Sequence, residues 1–118
     1  MDVYEVTITL YRPIGPLELE LIKQSGFKHW PPRLPEQPIF YAVTNQEYAH
    51  QIAKRWNVSE SEAGYITRFR VRKSFMDRYP VHQVGAKIHT EWWIPAEDLE
   101  ELNNNLSGLI EVIGEYHT

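Results

Sequence analysis

Apolar and polar residues alternate from Tyr4 to Arg12, with Val6, Ile8 and Leu10 set against Glu5, Thr7 and Thr9. That is the period of a strand with one buried face, and Pro13 and Gly15 predict its end. Pro16 is a residue that a first helical turn tolerates. Leu17, Leu21 and Ile22 then form an apolar stripe closed by Gly26, which predicts a helix from about Pro16 to Ser25. Pro31, Pro32, Pro35 and Pro38 hold an extended segment, because proline fixes φ and disfavours helix in the residue before it. Ile39 to Val43 reads as a short strand. Thr44 and Glu47 have the spacing of a capping box, so the Thr44 hydroxyl is predicted to cap the helix that follows. Tyr48, Ile52 and Trp56 recur every four residues with Ala49 and Ala53 beside them, a stripe whose small residues allow close packing on a sheet.

In the second half, Val58 to Gly64 reads as a polar loop and Tyr65 to about Val71 as a strand. Ser74 to Tyr79 reads as a helical turn, and Val81 to Val84 as a short strand ending at Gly85. From Ile88 to Ile94 the residues Ile88, Thr90, Trp92 and Ile94 project one way, and His89, Glu91 and Trp93 the other. One face is expected to be buried and the other to line a cleft. Pro95 stops this strand. Ala96, Leu99 and Leu102 predict a short helix that fades at Asn103, Asn104 and Asn105, and Gly108 marks a turn. Leu109 to Tyr116 closes the chain as a strand, with Ile110, Val112 and Tyr116 on one face and Glu111 and Glu115 on the other. The strands gather in the second half without a helix between each pair, which fits an α+β domain better than an alternating parallel sheet.

Composition narrows the function classes. The 118 residues fit one domain, 1–118, and 42% hydrophobic with 13% aromatic residues predict a folded chain with a substantial core. The chain has no bilayer-length apolar run, and its first residues, MDVYEVTITLYR, lack the order of a signal peptide, so a cytoplasmic protein without a membrane partner is expected. The absence of cysteine excludes disulfides, thiolate metal sites and cysteine nucleophiles. A net charge of −4 argues against a nucleic-acid partner. The one basic cluster, Arg68, Arg70, Arg72 and Lys73, reads as a solvated outer sheet face or a local anion site.

No glycine-rich phosphate loop, G-x-S-x-G or H-E-x-x-H motif is present. What remains is a constellation: Tyr11 and Arg12 at the end of the first strand, Tyr41 on the second, and Glu91 ahead of a pair of tryptophans. Four blocks carry a resemblance: LYRPIG, IFYAVTNQEYAHQIA, YITRFRV and HTEWWIP. In these the chain resembles ADP-ribosyltransferase-like domains, and over nearly its whole length it is similar to small bacterial proteins labelled "ADP-ribosylation/crystallin J1". The resemblance implies split β-sheets with flanking helices and a central cleft. It also implies that NAD is bound as a substrate, by a mono-ADP-ribosyltransferase or NAD glycohydrolase acting on an unknown acceptor. A non-catalytic module that binds a nucleotide or a protein partner is the alternative.

By the same resemblance Arg12 contacts the NAD ribose or phosphates, Tyr41 sets the nicotinamide, and Glu91 is the catalytic carboxylate on the ribose. Tyr11 and His89 complete the cofactor contacts. The chemistry suits these roles: a fixed carboxylate stabilises positive charge growing on a ribose, and a planar guanidinium suits a pyrophosphate. The sequence departs from the arginine-specific pattern, which has Ser-Thr-Ser in its second motif and a second glutamate where His89 stands; the other main class has histidine in place of Arg12. The acceptor is therefore left open. No metal is expected, although His82, His89 and Glu91 are of ligating type. Trp30, Trp93 and Tyr41 are expected to line one wall of the cleft or a partner surface.

Overall fold

The computed structural model describes residues 6–57 and 63–117, and among them six strands form one antiparallel sheet flanked by four short α-helices. The elements run β1 (Thr7–Ile14), α1 (Pro16–Gln24), β2 (Ile39–Val43), α2 (Gln46–Ile52), β3 (Ala63–Arg72), α3 (Lys73–Met76), β4 (Val81–Gln83), β5 (Thr90–Pro95), α4 (Leu99–Asn104) and β6 (Glu111–His117). A π-helical turn, Ala53–Asn57, extends α2, and a 3₁₀ turn, Ala96–Asp98, leads into α4. The spatial order is β4-β5-β2-β1-β3-β6. No described helix is long and apolar enough to cross a membrane.

The sheet is two three-stranded halves with a narrow seam. β1 pairs with β3 along its whole length, whereas it meets β2 at a single pair, Tyr11 with Val43. Beyond Tyr11, β1 has a partner on one side only. This explains why it runs through Pro13 to Ile14 instead of stopping at the proline: an edge position tolerates a missing N–H. At the seam the Arg12 Nη1 donates to the Tyr41 carbonyl at 2.7 Å, filling a place that a ladder bond would otherwise hold.

Each face of the sheet buries its own core. On the first, Leu10, Ile14, Phe40, Phe69, Val71, Trp92 and Ile94 pack under α1, α3 and α4, joined by Trp30 from the proline-rich segment. Trp30 meets Phe40 and Phe69 edge-on at 5.1 and 4.8 Å, and the Asn103 amide holds both the N–H and the carbonyl of its backbone. Edge-to-face pairs each contribute about 1 kcal/mol beyond burial. The proline-rich segment therefore lies over the core, and Trp30 is 2% exposed, so it cannot share a wall with Tyr41 and Trp93 as the sequence led us to expect. On the second face Ala49 and Ala53 bring α2 and its π turn close against Val43 and Ile66.

Two local expectations are corrected. The cap of α2 is Asn45, whose Oδ1 accepts from the Tyr48 N–H at 2.7 Å, and not Thr44, whose hydroxyl bonds that of Thr90 on β5. In β6 a register shift opposite Ile66 and Thr67 inserts one residue, so Ile110 and Val112 face the first core while Tyr116 faces the second. The carboxylates divide likewise: Glu111 pairs across from Arg68, and Glu115 across from Tyr65. The predicted loop from Val58 lies largely outside the described residues.

Candidate ligand-binding face

β5 turns Thr90, Trp92 and Ile94 inward, as their alternation predicted, and leaves Glu91 and Trp93 on the opposite face. Cross-strand pairing then sets their neighbours. Tyr41 stands opposite Trp93, Val43 and His82 flank Glu91 from either side, and Tyr11 follows Val43. Tyr41, Trp93, Glu91, His82 and Tyr11 therefore belong to one face, built by side chains from four strands.

Glu91 is the polar centre of this face. Its Oε2 accepts from the Tyr48 hydroxyl at 2.9 Å and its Oε1 from the Trp93 indole N–H at 2.7 Å. Two donors from different elements fix the orientation of the carboxylate while each oxygen keeps a lone pair for a ligand. Burial and the bond to Glu91 push the Tyr48 phenol up to about 12, so it stays a donor throughout the neutral range. Trp93 and Tyr41 remain 40% and 46% exposed, and His82 stacks on the Trp93 ring at 3.6 Å with the planes 8° apart.

His89 lies just before β5. The Ala86 N–H donates to its Nδ1 at 3.0 Å, which leaves the proton on Nε2 to be donated to Gln51 Oε1 at 2.8 Å. Its ring sits 4.7 Å from that of Tyr48. His89 thus supports the residue that orients Glu91, with both ring nitrogens engaged.

Arg12 belongs elsewhere. Alternation along β1 puts it with Leu10 and Ile14 on the first face, opposite to Tyr11. There it is 8% exposed, stacks on Phe40 at 4.3 Å, and forks onto Glu18 through Nε at 2.8 Å and Nη2 at 3.0 Å. The structure therefore brings together Glu91, Tyr41, Tyr11 and His89 but turns the Arg12 side chain away from them. Tyr48 was missed as a site residue, and His82 was noted only as a residue of metal-ligating type. Tyr48 carries a polar tip on an otherwise apolar helical stripe, which was a usable signal; the place of His82 depends on a strand pairing with no local signature.

No group of three or more metal-ligating side chains is found among the described residues. No family model, curated protein or solved structure matches the chain.

Proposed function

We propose that the protein is an ADP-ribosyltransferase-like NAD-binding protein whose site is the face around Glu91. The observation that carries this reading is the Glu91 carboxylate itself, oriented by Tyr48 and Trp93 and set among exposed aromatic rings. Paired hydroxyls of a ribose suit a carboxylate with one free lone pair on each oxygen, and Tyr41 and Trp93 offer surfaces for a nicotinamide or adenine ring. In that setting Glu91 stabilises positive charge that builds on the ribose as its bond to nicotinamide breaks. The finer reading of the fold, split sheets around a central cleft, rests on the sequence resemblance; what favours it is that β1 and β2 meet at a single pair within the six-stranded sheet.

A second reading, a non-catalytic nucleotide-binding module of the same fold, is favoured by the position of Arg12. The arginine that the resemblance places on the NAD phosphates points to the other face, where it is engaged by Glu18 and by the backbone carbonyl of Tyr41. Glu91→Gln separates the two readings, because it keeps the side chain's shape and removes its charge. If the protein is catalytic, this change lowers NAD turnover about 100-fold while the protein stays folded. A binding module shows no turnover, but its melting point rises with NAD or ADP-ribose, a ligand at 100 times its dissociation constant contributing about 2.7 kcal/mol. Absence of both turnover and shift in the unaltered protein overturns both readings.

A further inference from the structure

The first face carries a separate feature outside the Glu91 face. A groove of about 490 Å³ opens between the first turn of α1 and the proline-rich segment, with Glu18 and Arg33 as its charged lining residues. That volume is in the range of small-molecule sites. Its apolar lining is unusually exposed for side chains of this type: Leu17 at 74%, Leu34 at 55% and Leu21 at 40%.

The charges do not balance once Arg12, which lies behind the wall, is counted with them. Arg12, Glu18 and Arg33 form a cluster with side chains 10%, 20% and 13% exposed, two guanidiniums to one carboxylate. Arg12 has both Glu18 oxygens at hydrogen-bond distance, which leaves Arg33 Nη1 3.8 Å from Glu18, beyond a hydrogen bond. Arg33 Nη2 makes a long bond of 3.3 Å to the Ile39 carbonyl, and its Nε is buried without a partner. Burial, and then the neighbouring Arg12, lower the pKa of Arg33, as expected of a cation short of a counter-charge. An under-satisfied cation beside exposed leucines is complementary to a molecule with one anionic end and one apolar end.

We infer that this groove binds a small amphipathic anion, with its carboxylate or phosphate head on Arg33 and its apolar tail along Leu17, Leu21 and Leu34. Octanoate, octyl phosphate, octanol and acetate separate head from tail. The readout is the Arg33 Nε–H resonance together with calorimetric affinity. Octanoate or octyl phosphate is expected to shift that resonance, the tighter of the two naming the head group, while octanol and acetate bind at least ten-fold more weakly. The double change Leu17→Ser/Leu34→Ser alters only exposed positions; it should weaken octanoate or octyl phosphate at least ten-fold without moving the melting point of the free protein. Arg33→Gln should erase the difference between octanoate and octanol. Octanol binding as tightly as the anions, unchanged affinity in the leucine double variant, or no movement of the Arg33 resonance with either anion would each overturn the assignment.

Discussion

Arg12 and Glu91 are both charged strand residues, yet their surroundings give them opposite work. Arg12 spends its three nitrogens on Glu18 and the Tyr41 carbonyl and tethers α1 and the seam to the first core. Arg12→Met leaves Arg33 to pair with Glu18 but takes the donor from the Tyr41 carbonyl, so it should cost about 1 to 3 kcal/mol in urea unfolding. On the geometry of the Glu91 face, the affinity of the folded variant for NAD should be unchanged. Glu91 instead raises the Tyr48 pKa after burial, and both causes act in the folded state. A phenol whose folded pKa lies near 12, above its unfolded value of about 10, contributes stability that is full below pH 10 and is lost as the pH climbs from 10 to 12. Glu91→Gln should move the Tyr48 pKa part of the way back toward 10, with the burial contribution remaining; a ¹³C-tyrosine pH titration reads it. An unmoved Tyr48 would mean that the bond to Glu91 does not form in solution.

At the scale of elements, Asn45 caps α2 and also donates through Nδ2 to the Ile88 carbonyl at 2.7 Å, tying the helix to the chain entering β5. Asn45→Ala should therefore cost about 1 to 2 kcal/mol of stability by denaturant titration, at the upper end for a cap. How far such features were legible in the sequence depended on their range. The alternation in β1, β3 and β5 and the stripe on α2 each lie within one segment, and they gave the strands, the helix and the inward turn of Trp92 and Ile94. The same alternation placed Arg12 with Ile8 and Leu10, so its separation from Tyr11 was already written in the period. The cap moved from Thr44 to Asn45 because Thr44 is engaged by Thr90, a contact between distant segments. The inserted residue in β6 reflects pairing with β3 and leaves no trace in the local pattern.

Across the whole molecule, stability and the candidate site are distributed unevenly. β1 and β3 share a long ladder at the centre of the sheet, whereas β4 is a three-residue edge strand with an exposed Val81. Amide exchange should be slowest in β1 and β3 and fastest in β4; uniform protection across both would contradict the seamed architecture. The candidate site is the face that β4, β5 and β2 build around Glu91. Among the indole N–H groups, that of Trp93 bonds this carboxylate, while that of Trp30 is buried in the opposite core. The most direct test is a ¹H–¹⁵N titration with NAD that follows the indole signals of Trp93 and Trp30 in the unaltered protein and in Glu91→Gln. NAD should shift the Trp93 signal, leave the Trp30 signal in place, and have at least ten-fold weaker affinity for Glu91→Gln. A Trp93 signal that does not respond to NAD, or an equal response in the variant, would contradict NAD binding at Glu91.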